Sequence, residues 1–499
     1  MLNSVNPSTG ETLGTVRITP PDEVFQRIQK ARNAQKQWAA VSIKERIRFI
    51  RRFQVLLAER AESFADLITH ETGKCLVDSL SAEILPTLLY VDYVCKNAAK
   101  LLKERKISSG FMLTTESRVQ YLPYGVVGIV SPWNFPVYIT MCSAIAALAA
   151  GNTVITKPSE FTPLSVEYLE KLFHESGFPE DVFQVVPGNV ATGQALIDGR
   201  VDRFVFTGST AIGKKVAVAC AEKLIPVSLE LGGKDPMIIL EDAPMPRTVY
   251  GAIAAGLCHA GQMCMSVERI YVQKSIAESF IKNVVNEVSK LRLGTEISPI
   301  QNKPQLEKIE AQVSDAVKLG ATLLLGGKRR EGSNFFEPTV LTNLSSQSPV
   351  IKEETFGPVL AIMTFETEEE AVRLANDSPF GLTASVWSGD PERAKRIANK
   401  LDVGSVFIND HLSPAVNPHA PWGGMKESGI GTERGEWGIY SMVKIRHVSR
   451  NRFLMSKDPF WFPRTDRQKQ LALGLIQGLF GSKLLIRLKS WLSILRSSA

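Results

Sequence analysis

Apolar residues recur every three to four positions through the first 70 residues. Val24, Ile28 and Ala31 form one series, and Ile43, Ile47, Ile50, Phe53 and Leu57 another, which predicts amphipathic helices over about 20–70. From about residue 120 the pattern shortens into apolar runs. Gly125–Val130 and Val154–Thr156 fit buried strands. Thr162-Pro163 then opens a helix, since threonine suits the cap and proline the first turn. Val166, Leu169 and Phe173 line its apolar face, and Gly177 is its stop. Val182–Val186 and Phe204–Phe206 are the next strands, with a helix after them over about 212–222. Strands alternating with helices predict a parallel, doubly wound sheet.

A second alternation covers about 233–435. Met237–Leu240, Thr322–Leu325 and Val359–Met363 are strand candidates, separated by helices over about 247–260, 275–290, 304–318 and 367–376. A second α/β domain follows, with Gly232-Gly233 as a hinge between the two. Residues 105–123 and 441–453 alternate more loosely and read only as extended.

A chain of 499 residues is too long for one compact core, so two or three domains are expected. An apolar share of 44% and a charged share of 22% are ordinary for a globular protein. The six cysteines form no CxxC pair and the six histidines no HExxH, so no metal site is expected, and a reducing compartment fits better than disulfides. Met1–Pro7 has neither a basic segment nor an apolar run, and a cytoplasmic location is expected from it. Of the net charge of +7, most belongs to residues 457–499, which carry eight basic side chains and two acids. The remainder is nearly neutral and shows no nucleic-acid signature.

Three segments carry chemistry. Cys264 lies in Gly261-Gln-Met-Cys-Met-Ser266, Glu230 opens Glu230-Leu-Gly-Gly-Lys234, and Asn134 lies in Pro132-Trp-Asn-Phe-Pro136. Taken singly, each reads as easily as a buried cysteine, a solvated loop acid and a turn asparagine. Together they supply a nucleophile, a general base and an oxyanion donor, the parts that turn an aldehyde into an acid through a thioester. A thiol needs a nearby positive charge to act as a nucleophile, and an oxidised nicotinamide provides one. The Cys264 backbone N–H would be the second oxyanion donor. Between the amide and the carboxylate lies Gly208-Ser209-Thr210-Ala211-Ile212-Gly213, a glycine turn between a strand and a helix that suits a dinucleotide phosphate. It is not GxGxxG and carries no Rossmann assignment by itself.

In this order the segments resemble the aldehyde dehydrogenase superfamily, from about residue 5 to about residue 450. Late segments extend the likeness: Glu353-Glu-Thr-Phe-Gly-Pro358, Phe407–Asp410 and Pro421–Gly429. The resemblance implies two doubly wound α/β domains with a small β oligomerisation arm. It places a dinucleotide-binding domain at 1–103 and 124–232, a catalytic domain at 233–440 and the arm at 104–123 and 441–453. It implies catalytic roles for Cys264, Glu230 and Asn134. The cofactor set is Trp133, Lys157, Ser159, Glu160, Gly208, Ser209, Thr210, Ala211, Ile212, Gly213, Glu354 and Phe356. Lys157 and Glu160 would meet ribose hydroxyls, Glu354 the nicotinamide ribose, and Phe356 would pack near the nicotinamide. Glu160 favours NAD, while Ser159 leaves room for NADP. A homodimer or homotetramer is implied. Trp422 stands where phenylalanine is commoner, either reshaping the substrate funnel or packing.

The expected activity is NAD(P)-dependent oxidation of an apolar aliphatic or isoprenoid aldehyde, with Met263 and Met265 as soft flanks of the thiol. Three alternatives stand beside it: a succinic-semialdehyde dehydrogenase, an enzyme that acylates coenzyme A, and a non-catalytic structural protein on the same fold. Residues 454–499 exceed the family core. Their uncharged run, Gln470–Ser482, is too short to span a membrane. Placed on a helix, Leu484, Leu488, Trp491, Leu492 and Leu495 share a face rimmed by Lys483, Arg487, Lys489 and Arg496. That pattern fits residues 470–499 lying on an anionic membrane surface, or docked on a partner subunit.

Overall fold

The computed structural model describes residues 1–482 apart from 111, 113, 454, 455 and 459. It divides into two compact units, 1–103 with 121–446, and 104–120 with 447–499.

The first unit contains two twisted, mostly parallel sheets with helices around them, the mixed α/β architecture expected. The six-stranded sheet runs in the order Gly429–Ile430, Val227–Glu230, Arg203–Thr207, Val126–Val130, Thr153–Lys157, Phe183–Val185. Only the edge strand Gly429–Ile430 is antiparallel, pairing Gly429 with Glu230. The seven-stranded sheet runs Thr322–Leu325, Thr339–Thr342, Val359–Phe365, Val267–Gln273, Asp235–Ile239, Thr383–Trp387, Ser405–Ile408. Its central strands are fully buried, as parallel strands covered on both faces must be.

The helical series near the N-terminus fold as read. Pro21–Ala40 buries Val24, Ile28 and Ala31, and Ile43–Glu59 buries Ile50, Phe53 and Leu57. Two details differ from expectation. Thr162 precedes the helix Pro163–Glu175 but its side chain makes no cap bond. Thr322–Leu325 is an antiparallel edge strand, with Leu323 and Leu324 each 39% exposed while Leu325 packs against the core.

Arg105–Ile107 pairs antiparallel with Thr115–Pro123, within a three-stranded sheet completed by Val443–Asn451. Glu116 is buried there and draws Lys106, Arg118, Arg450 and Arg452 around it. A helix, Asp466–Phe480, holds most of the uncharged run and starts with a capping box between Thr465 and Gln468. Leu473, Ile476 and Phe480 are exposed along it, as are Phe460, Trp461 and Phe462 before it. No helix among the described residues is long and apolar enough to cross a membrane. The expected apolar face from Leu484 to Leu495 and its basic rim lie outside the described residues.

Candidate active site

Cys264 sits in a loop between two elements that fix it. Ahead of it, His259, Ala260 and Gly261 all take positive φ (48°, 53° and 69°), and behind it starts the strand Val267–Gln273. A Cβ on Gly261 would stand 2.2 Å from the Gly357 carbonyl oxygen, so only glycine fits. Gln262 locks the loop with every side-chain group used: its amide donates to the His259 and Pro299 carbonyls, and its oxygen accepts from Gln301 N–H at 2.9 Å. The loop therefore presents Cys264 from a rigid frame.

The Glu230-Leu-Gly-Gly-Lys234 motif closes against that frame. A Cβ on Gly233 would meet the Cys264 carbonyl oxygen at 2.3 Å, and one on Gly232 would meet Glu354 Oε1 at 2.7 Å. Gly233 N–H donates to Glu354 Oε1 at 3.1 Å. The two glycines are thus contact sites for the cysteine loop and for Glu354, beyond any hinge role. Lys234, fully buried, pairs with Glu268 and donates to Thr355 Oγ1 at 3.0 Å. Glu268 in turn accepts from the Thr355 and Phe356 N–H groups at 2.7 and 2.8 Å. This network aims Glu354 and Phe356, and neither Lys234 nor Glu268 was singled out from the sequence.

Asn134 is 4% exposed and donates from Nδ2 to the Gln262 carbonyl at 3.0 Å. Its own carbonyl accepts from Lys74 Nζ at 2.6 Å, and Lys74 pairs with Glu83 at 3.0 Å with both side chains fully buried. Glu83 also accepts from the Val137 and Tyr138 N–H groups. A buried pair of this kind is kept by its hydrogen bonds more than by charge attraction. Here it holds the proline-flanked loop beside the cysteine loop.

Cys264 and Glu230 line one cavity of about 330 Å³. Most of its wall is apolar, from Phe135, Ile139, Met263, Met265, Leu412 and Val416. Cys142 and Cys258 also line it. Burial pushes the Cys264 thiol well above its ordinary pKa, and Glu230, Asp235 and Glu354 add to the rise; the Met265 N–H opposes it. Burial also raises Glu230 well above the carboxylate range, and Glu433 adds to this. Trp422, Glu433 and Arg434 complete the polar wall of the cavity. The sequence signals Trp422 only, because Glu433 and Arg434 reach Glu230 from two hundred residues away.

The residues expected to meet a dinucleotide fall in two groups. Lys157 ends the strand Thr153–Lys157, is 5% exposed, and donates to the Pro158 and Gly188 carbonyls. Glu160 lies 3.7 Å from its ammonium and is half exposed, while Ser159 Oγ accepts from Phe161 N–H. Ser209 caps the helix Thr210–Glu222 without a side-chain cap bond. The first N–H groups of a helix, here from Thr210, Ala211 and Ile212, have no intrahelical acceptor. Gly213 fits against Leu231, where a Cβ would come within 2.3 Å, and Gly208 N–H donates to the Glu230 carbonyl. In the second group Trp133 meets Phe356 edge to face, ring centroids 5.4 Å apart. Burial raises Glu354 to about 7. Donors at a helix start, the buried lysine Lys157 and a buried hydroxyl without a partner among the described residues, Thr156 Oγ1, are a donor set that fits a dinucleotide.

The profile of the aldehyde dehydrogenase family matches residues 1–448. The chain is 35% identical to 4,4'-diapolycopene aldehyde oxidase from a Methylomonas species, over 96% of this chain and 91% of that one. It is 35% identical, over 93% and 91%, to a Mycolicibacterium smegmatis protein provisionally named as an NADP(+) succinate-semialdehyde dehydrogenase. Among solved structures it superposes on betaine aldehyde dehydrogenase from Staphylococcus aureus in complex with NAD+, with a TM-score of 0.88 and 35% identity, over 93% of each chain. With sequence and fold matched along almost the whole length, this chain belongs to the aldehyde dehydrogenase family and is an oxidoreductase that acts on aldehydes.

Proposed function

We propose that the enzyme oxidises an apolar aldehyde to its carboxylic acid, through a thioester on Cys264. The observation that carries this reading is the cavity, which brings the Cys264 thiol and the raised Glu230 carboxyl together on a mostly apolar wall. When bound, an oxidised nicotinamide dinucleotide supplies the hydride acceptor and a positive charge. Lys157, Ser159, Glu160 and Gly208–Gly213 would hold its nucleotide end, and Trp133, Glu354 and Phe356 the other. The Cys264 thiolate, which that positive charge would favour over the protonated thiol, adds through Sγ to the aldehyde carbon. Asn134 Nδ2–H and the Cys264 N–H take the developing oxyanion, and losing such a donor costs about 3 kcal/mol in barrier height. Once the thioester stands, Glu230 takes a proton from water as it attacks the acyl carbon. The C–S bond then breaks, releasing the acid and the Cys264 thiolate. Glu230, held above the ordinary carboxylate range by burial, suits this step, and its place in the cavity argues for water over coenzyme A as acyl acceptor.

A substrate series tests the reading. Acetaldehyde, medium and long linear aldehydes, an isoprenoid aldehyde and succinic semialdehyde should be compared with NAD and NADP. We expect kcat/KM to climb about fourfold per methylene over the short members, the value of burying one CH₂. NAD is expected to be preferred, because Glu160 repels a 2′-phosphate. A tenfold preference for succinic semialdehyde would instead support the narrower alternative. Arg434 is the one cation lining the cavity among the described residues, but it already faces two carboxyls, so we favour the apolar substrate.

We also propose that the strands Arg105–Ile107, Thr115–Pro123 and Val443–Asn451 join subunits in a dimer or tetramer, that Gly232-Gly233 divides a dinucleotide-binding from a catalytic domain, and that the basic C-terminal tail binds anionic membranes in the cytoplasm. Exposed Trp461, Phe462, Ile476 and Phe480 support the last of these. Removing residues 457–499 is expected to release the protein from anionic liposomes in a flotation assay; equal flotation with and without them contradicts the proposal.

A further inference from the structure

Arg434 is a charged residue in an unfavourable place. It is 4% exposed and lines the apolar cavity. Its φ of 58° puts a non-glycine residue in left-handed backbone, at the start of the helix Gly435–Tyr440. Its Nη1 donates to the Tyr138 hydroxyl at 2.8 Å and to the Ala415 carbonyl. Its guanidinium carbon stands 4.2 Å over the Trp422 ring. Trp422 and Glu433 exchange backbone hydrogen bonds of 2.8 and 2.7 Å, which sets the indole and the guanidinium side by side. Among the described residues the guanidinium makes no contact ion pair, although Glu230 and Glu433 both feel its charge.

Those two acids are each 6% exposed and act on each other. Two buried carboxyls on one cavity wall that act on each other disfavour each other's ionisation, and an apolar setting without a counter-charge disfavours both. The groups facing Glu230 are Glu433, Arg434 and the hydrogen-bonding Trp422 side chain, with Cys142 and Cys264 within reach of its charge. Those facing Glu433 are the Ser143 hydroxyl at 3.0 Å, Arg434 and Arg203. Tyr138 and Ala415 hold Arg434 in place without letting it clamp either acid. A contact pair would pin the carboxylate and quench its basicity; a stand-off cation favours ionisation and leaves the carboxylate free to reach water.

We propose that Arg434 is a positioning residue for the thioester-hydrolysing base: it is the shared counter-charge that lets one member of the Glu230–Glu433 pair ionise inside the apolar cavity. The inference rests on Glu230 acting as the base.

The test is the pH dependence of kcat at saturating aldehyde and cofactor in the full-length enzyme, for R434M and R434K. A cation stabilises the ionised acid and holds its pKa down, so its loss raises that pKa. The acid limb of kcat is expected to move up by roughly one pH unit in R434M, the usual effect of one close opposite charge. KM and the single-turnover burst of reduced cofactor should change less than about twofold, because they precede the base-dependent step. R434K should return the limb to the parent position. Should R434M fail to fold, R434Q, which can still hydrogen-bond Tyr138 and Ala415, carries the same comparison with R434K. A limb unmoved in the neutral variant, or moved equally by lysine, overturns the proposal. E230Q separates this from the reading beneath it: if E230Q turns over like the parent, the base assignment fails, whereas an inactive E230Q with an unmoved R434M limb defeats only the role of Arg434.

Discussion

Replacing Cys264 with serine is expected to lower kcat by at least about a thousandfold with every aldehyde accepted, the scale seen when a covalent nucleophile is removed. The reason is chemical and local. A serine hydroxyl is a far weaker nucleophile than a thiolate. The loop itself should survive, because its geometry is set by Gln262, Gly261 and the Gly233 contact, none of which uses the sulfur. Binding of the dinucleotide, followed by tryptophan fluorescence, should therefore stay near parental strength. Parental turnover in C264S would leave Cys142 and Cys258, the other cysteines on the cavity wall, as candidate nucleophiles.

Replacing Glu230 with glutamine is expected to lower steady-state kcat by about 10²- to 10⁴-fold, the range for a lost general base. Its signature differs from that of C264S. Addition to the aldehyde and formation of the thioester do not need the base for water, so one equivalent of reduced cofactor should still appear in a rapid first turnover. The enzyme should then stall as the acylated form. The raised pKa of Glu230 adds a pH expectation for the parent. Because burial and Glu433 disfavour the ionised form, kcat should fall on the acid side at a pH above the ordinary carboxylate range. Stopped-flow absorbance of the reduced cofactor reads both effects.

Much of this was legible from spacing alone. The buried strands of the six-stranded sheet announced themselves as short apolar runs, and the amphipathic N-terminal helices through their three-to-four periodicity. The helix Tyr138–Ala150 escaped because it is buried all round from Thr140 to Ala150, and a helix without a polar face shows no period. Thr322–Leu325 was legible as a strand, but its place at the exposed antiparallel edge of the sheet was not. The site divides in the same way. Cys264, Glu230 and Asn134 were visible because each lies in a short, unusual string. Lys74, Glu83, Glu268, Glu433 and Arg434 were not, since each acts on a partner brought near only by the fold: Lys74 meets Asn134 across 60 positions, and Ser143 meets Glu433 across 290. A lone lysine or arginine in a sequence reads as surface charge, and only burial shows that these are structural or electrostatic parts.

The central claim is a covalent acyl group on one sulfur, and mass spectrometry of the acid-quenched E230Q enzyme measures it most directly. After mixing with aldehyde and oxidised cofactor, the account predicts close to one acyl group per chain, mapped to the peptide carrying Cys264 and removed by hydroxylamine. A chain that reduces the cofactor yet carries no acyl group, or carries it on Cys258, would contradict the account.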